Sequence, residues 1–127
     1  MTCGATGTRC LVVDDSRTIR HLARRVLEAQ GCTVEEAADG LEALTACRSR
    51  MPGCILLDWI MPVMNGMEFL RALRSEFRHD LPPVVFCTVR TGDGFRRQAM
   101  EAGARDYIAK PYDPTFMVAT LAGLGVL

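Results

Sequence analysis

Apolar residues fall along the chain in two alternating registers, short unbroken runs and longer stretches with helical spacing. Arg9–Val13, Cys54–Leu57 and Val84–Cys87 are apolar without alternation, as expected of strands covered on both faces of a parallel sheet. Thr33–Ala37 alternates weakly and carries Glu35 and Glu36, which predicts an edge strand. Tyr107–Ala109, within Asp106–Ala109, is a short last strand. Between the strands lie helical segments. Ser16–Gln30 puts Ile19, Leu22, Ala23, Val26 and Leu27 on one face and stops at Gly31. Asp39 caps a second helix with Leu41, Leu44 and Cys47 inward, broken by Met51-Pro52-Gly53. Trp59–Asn65 is a loop, and Gly66 opens a third helix with Phe69, Leu70, Leu73 and Phe77 inward. Thr91–Gly94 is a flexible loop by composition, before a helix over Phe95–Ala102 that Gly103 ends. Asp113-Pro114 starts the last helix, with Met117, Thr120, Leu121 and Leu124 inward. The pattern is strand–helix five times over.

The ends of four strands carry chemistry. Asp14 and Asp15 follow the first, Asp58 the third, Thr88 the fourth and Lys110 the fifth. Ligands of open parallel sheets bind outside the carboxyl ends of the strands, so these side chains would meet. Adjacent carboxylates repel, and a divalent cation relieves that cost. Mg²⁺ takes one or two carboxylates plus phosphate oxygens. A carboxylate such as Asp58 can attack phosphorus. Thr88 can hydrogen-bond a phosphoryl oxygen, and Lys110, fixed by Pro111, can neutralise its charge. Each residue has a plainer reading alone: a helix cap, a turn aspartate, a β-branched strand end, a surface lysine. The shared position at one end of successive strands favours a site.

At 127 residues the chain is one domain, with residues 1–8 a tail and 9–127 the folded unit. Lysine plus arginine and aspartate plus glutamate stand at 15 each, which argues against a dedicated nucleic-acid binder. No apolar run reaches the length of about eighteen residues that a membrane span needs, and no secretory signal precedes the domain. A cytoplasmic location is expected. The 6 cysteines form no C-x-x-C pair and no zinc spacing. Cys10, Cys54 and Cys87 are expected in the core, and Cys3 in an exposed tail. No output domain is expected after the last helix.

The segments Leu11-Val12-Val13-Asp14-Asp15-Ser16, Leu56-Leu57-Asp58-Trp59-Ile60-Met61-Pro62 with Asn65-Gly66, Thr88, and Lys110-Pro111 strongly resemble the response-regulator receiver family. The resemblance covers essentially the whole chain and is to the stand-alone, chemotaxis-type (CheY-like) branch. It implies a flavodoxin-like α/β fold, a five-stranded parallel sheet in order 2-1-3-4-5 with helices on both faces. It implies Asp58 as phosphoacceptor from a histidine kinase or phosphotransfer protein. Asp15 would bind Mg²⁺ directly and Asp14 largely through water, with the Ile60 carbonyl completing the site. Lys110 would pair with the phosphoryl group, Thr88 would move to bond it, and Tyr107 would swing inward behind it. That would switch the surface of the fourth helix, fifth strand and fifth helix toward a protein partner, such as a flagellar motor switch. Such a chain catalyses only its own phosphorylation and dephosphorylation and is not otherwise an enzyme.

The chain departs from that pattern at the rim. Val89 replaces a common alanine, Arg90 a short or acidic residue, and Ile60 is apolar. Rim positions tune dephosphorylation in the family, so Ile60 and Val89 are expected to hinder the hydrolytic water. Arg90, Arg96, Arg97 and Arg105 are expected to cluster near the output face and favour an acidic partner or anionic ligand. Alternatives are a phosphate sink or phosphorelay shuttle without a motor target, and an adaptor that no longer uses the site. A haloacid-dehalogenase-like phosphatase would need a second acid where Ile60 stands. A flavin module would need a hydroxyl- and glycine-rich loop where Asp14-Asp15-Ser16-Arg17 stands.

Overall fold

Five strands hydrogen-bond in parallel in the order β2-β1-β3-β4-β5: β1 (Arg9–Val13), β2 (Thr33–Ala37), β3 (Cys54–Leu57), β4 (Val84–Thr88) and β5 (Asp106–Ala109). Each connection carries a helix: α1 (Arg17–Ala29), α2 (Gly40–Ser49), α3 (Gly66–Glu76) and α4 (Asp93–Glu101), with α5 (Pro114–Gly123) last. The computed structural model describes residues 7–78, 81–90, 92–111 and 113–127. Cys3 and Thr91 lie outside them. The expected topology is observed, with β2 at the edge.

The period of two along each strand divides the core into two layers. Leu11, Val13, Ile55, Leu57, Val84 and Phe86 face one way, against Ala43, Leu44 and Cys47 of α2, Phe69, Leu70 and Leu73 of α3 and Ala99 of α4. Cys10, Val12, Cys54, Leu56, Val85 and Cys87 face the other way, against Ala23 and Leu27 of α1 and Met117 and Leu121 of α5. The three expected core cysteines are therefore packing residues. Burial of each large side chain contributes about 1.5–3 kcal/mol.

Some helical expectations need correction. Leu22 and Leu41 are about half exposed, at 50% and 48%. Only Ala23 and Leu27 of α1 are fully buried, with Ile19 and Val26 half-buried, so the stripe of α1 in contact with the sheet is narrower than its apolar face. Asp93 and Gly94, read as loop, belong to α4, which begins at Asp93 and ends at Glu101. Its N-cap, Gly92, sits at φ 115° and offers no side chain to announce the start.

Helix starts elsewhere follow the sequence. The Ser16 hydroxyl accepts from Ile19 N–H, Asp39 from Glu42 N–H, and Asp113 from Thr115 N–H with Pro114 beginning the helix. Asn65 and Glu68 form a reciprocal capping box on α3 that secures the loop after β3.

One ion-pair group fastens α1 to the edge strand. Glu36 accepts from Arg20 at 3.0 Å and from Arg24 at 2.6 Å. Arg20 also donates to the Asp14 carbonyl at 2.7 Å, so the group reaches the end of β1. Partial burial alone would raise the Glu36 carboxyl, but the Arg24 and Arg20 hydrogen bonds outweigh it and hold the group below the ordinary glutamate range. A depressed carboxylate contributes stability above its unfolded value of about 4.3 and loses it as pH falls through the folded value. Glu36→Gln is expected to cost about 1 kcal/mol at pH 7 in urea unfolding. The gap from wild type should close below about pH 4; an equal gap at pH 3 would refute this origin.

Candidate functional site: an acidic cluster at the carboxyl ends of the strands

The sheet ladder continues one residue past three strands and sets the site. Asp14 N–H donates to Ala37 C=O at 3.1 Å, Asp58 N–H to Val13 C=O at 2.9 Å, and Lys110 N–H to Thr88 C=O at 2.8 Å. With these backbones fixed, the side chains converge. Lys110 Nζ donates to Asp14 Oδ2 and, at 3.1 Å, to Asp58 Oδ2. Asp14 and Asp58 are buried, at 3% and 7% exposure, while Asp15 is exposed. One carboxylate oxygen from each of Asp14, Asp15 and Asp58 lies within 4.8 Å of the others.

The remaining oxygens are also spoken for. Asp14 Oδ1 accepts from Ser16 N–H at 2.9 Å, and Asp58 Oδ1 from Trp59 N–H at 2.7 Å. Burial raises the Asp14 carboxyl, and the Lys110 hydrogen bond and charge oppose that rise without cancelling it. Burial alone would depress the Lys110 ammonium, but the Asp14 hydrogen bond and the Asp58 and Asp14 charges raise it, so it stays protonated. Two buried carboxylates thus share one ammonium, with the Asp15 carboxylate close by. An all-oxygen donor set with excess negative charge suits a hard divalent cation such as Mg²⁺. Cys87 lies against this cluster, and burial pushes its thiol up to about 12, so it stays neutral.

Backbone shape holds the Asp58 end in place. A Cβ on Gly66 would lie 2.1 Å from the Asp58 carbonyl oxygen, so only glycine fits where α3 starts. Gly66 N–H donates to Trp59 C=O at 2.9 Å. Between them Val63 adopts φ 67°, and Met64 N–H returns to Pro62 C=O at 2.7 Å, a strained γ-turn. Gly40 N–H donates to Met64 C=O at 2.9 Å, tying this turn to the start of α2.

The switch and rim residues divide into two groups. Ile60 and Val89 are exposed at the rim, at 47% and 62%. Thr88 is fully buried, and its hydroxyl accepts from Arg90 N–H at 3.3 Å. Among the described residues no hydrogen bond joins the Thr88 hydroxyl to the Asp58 or Lys110 side chain. Tyr107 lies inward in this structure. Its ring lies 6.2 Å from that of Phe86 and its hydroxyl donates to the Arg90 carbonyl. Burial raises the Tyr107 phenol.

The four arginines make different contacts. The Arg90 guanidinium stacks over Trp59 and Phe95, with its carbon 5.7 and 5.0 Å from the ring centroids. Arg96 pairs with Asp106 at 3.3 Å, while Arg97 and Arg105 are exposed. Arg20, which supports the Asp14 backbone, and the Trp59–Arg90–Phe95 stack were not foreseen. The sequence holds no local signal for either, because their partners lie on other elements. The capping box did have one, Asn65 followed three residues later by Glu68.

The response regulator receiver domain model matches residues 10–122. The response regulator MprA of Mycobacterium ulcerans (strain Agy99) is 40% identical over 116 residues, 91% of this chain and 49% of that protein. The chain thus spans about half the length of the curated relatives it matches. The chemotaxis protein CheY4 of Vibrio cholerae superposes with a TM-score of 0.86 at 34% identity, over 96% of this chain and 100% of that one. A two-component response regulator of the LuxR family from Aurantimonas sp. SI85-9A1 gives 0.85 at 30% identity, over 94% of this chain and 85% of that one. With the five-stranded topology and the acidic cluster both in place, the chain belongs to the response regulator receiver family, the phosphoryl-accepting signalling domains of two-component systems.

Proposed function

We propose that Asp58 accepts a phosphoryl group from a histidine kinase or phosphotransfer protein, and that the 9–127 unit then signals to a protein partner. The observation that carries this reading is the buried Asp58 carboxylate beside Lys110 at 3.1 Å, with two further carboxylates in reach. An Asp58 oxygen attacks phosphorus in line; the phosphorus–nitrogen bond of phosphohistidine breaks, its electron pair returns to the imidazole, and an acyl phosphate forms. A carboxylate nucleophile has no proton to give up, so the step needs no general base. Lys110 is the fixed positive charge for the phosphoryl oxygens, as the ammonium of a half-buried side chain already aimed at Asp58. Thr88 keeps its hydroxyl proton to donate, since Arg90 N–H only occupies its oxygen. A Mg²⁺ held by Asp14, Asp15 and Asp58, with the Ile60 carbonyl as a further donor, supplies compensating charge to those oxygens when bound.

The output surface in this reading is α4–β5–α5. Phe116 on α5 is 56% exposed and Arg97 and Arg105 are exposed, which suits an apolar, acidic segment. The likeness to CheY4, named a chemotaxis protein, supports a motility partner. A cytoplasmic location follows from a cytoplasmic kinase partner, and among the described residues no helix is long and apolar enough to cross a membrane.

Intact mass after incubation with acetyl phosphate and Mg²⁺ tests the chemistry. A labile phosphoryl adduct is expected on wild type and absent on Asp58→Ala. An adduct that persists on Asp58→Ala, or none on wild type from either acetyl phosphate or a phosphohistidine donor, would contradict it. Because Ile60 and Val89 stand exposed at the rim as bulky apolar groups, Ile60→Asn and Val89→Ala are each expected to speed decay of the adduct several-fold. Decay unchanged or slower in both would remove the proposed shielding of the hydrolytic water.

A further inference from the structure

Arg90 touches every part of the switch. Its N–H donates to Thr88 Oγ at 3.3 Å, and its carbonyl accepts the Tyr107 hydroxyl. Its guanidinium covers Trp59 and Phe95, and its Nε is buried with no hydrogen-bond partner among the described residues. The side chain is therefore held by ring faces, an arrangement that needs both rings in position. Those rings belong to the two segments flanking the site. Trp59 follows Asp58 directly and donates its N–H to Asp58 Oδ1 at 2.7 Å; Phe95 lies in the first turn of α4. Trp59 also meets Phe95 edge-on at 5.5 Å and Phe86 at 5.3 Å.

We propose that Arg90 is a positioning residue, stacked on Trp59 and Phe95 so as to hold Thr88 and Tyr107 in the receptive arrangement before any phosphoryl group arrives. A backbone anchored by the stack cannot wander, so its N–H fixes the Thr88 oxygen and leaves the hydroxyl proton for a new acceptor. The same anchored carbonyl gives Tyr107 its inward partner. The affinity of a site for its ligand falls with the fraction of molecules in the competent arrangement. Arg90 keeps that fraction high, and it does so through two residues that are not its sequence neighbours in the site. This inference rests on the reading of Asp58 as phosphoacceptor.

The test uses the whole chain and a phosphoryl mimic, beryllofluoride with Mg²⁺, titrated by calorimetry. Arg90→Ala is expected to weaken binding about three- to tenfold, the scale of a partly desolvated cation–π contact. Arg90→Lys is expected to recover part of the loss, because an ammonium still sits on the rings. In a Thr88→Ala, Tyr107→Phe background, Arg90→Ala is expected to cost less than about twofold, because both hydroxyls through which it acts are gone. A merely structural role would give the same loss in both backgrounds. That equality, or an Arg90→Ala affinity within about twofold of wild type, overturns the proposal. Should Arg90→Ala fail to fold, Arg90→Lys in both backgrounds carries the same comparison. No binding by wild type would overturn the Asp58 reading and this one together; wild-type binding with an indifferent Arg90 overturns this one alone.

Discussion

One ammonium shared by two buried carboxylates organises the molecule's functional end. Lys110 reaches both Asp14 and Asp58, and with Asp15 nearby the negative charge exceeds the positive. Removing one partner from a buried ionic group costs about 3–5 kcal/mol, because the others are left unpaired. The arrangement is therefore tense as well as specific. It keeps two carboxylates out of solvent beside a single positive charge, an imbalance that a bound cation would offset.

The fold delivers that cluster by elementary means. Parallel strands place their carboxyl ends side by side, and the ladder runs one residue further at Asp14, Asp58 and Lys110. Strand alternation then aims odd and even residues into separate core layers, so the polar ends emerge from a packed sheet with little freedom. The supports are distributed. Arg20 braces the Asp14 carbonyl, Gly66 allows α3 to approach Asp58, and the γ-turn at Val63 closes the loop between them. Arg90 extends the same rigidity to Thr88, Tyr107 and α4, which links the site to the α4–β5–α5 surface.

Much of this was legible in the residues. Unalternated runs at Cys54–Leu57 and Val84–Cys87 predict doubly covered strands, the acidic β2 predicts an edge, and strand-end positions bring Asp14, Asp15, Asp58 and Lys110 together, while the Thr88 hydroxyl turns to Arg90 N–H instead. Two kinds of feature escaped. Leu22 and Leu41 are apolar at helical spacing yet exposed, because periodicity gives the face and not the width of the contact. The start of α4 was hidden because Gly92, its N-cap, bears no capping side chain. The Arg90 stack escaped for a different reason. A cation over two rings, one from the β3–α3 loop and one from α4, is a tertiary fact that charge counting does not show.

The cluster of Asp14, Asp15 and Asp58 sets three carboxylates against one ammonium and could hold a divalent cation. Thermal unfolding with and without Mg²⁺ tests it most directly, since a ligand that binds only the folded state stabilises it by mass action. At about tenfold over its dissociation constant, Mg²⁺ should add about 1.4 kcal/mol and raise the midpoint by several degrees. The same addition to Asp14→Asn should raise it little. A wild-type midpoint indifferent to Mg²⁺, or an equal rise in Asp14→Asn, would contradict the account.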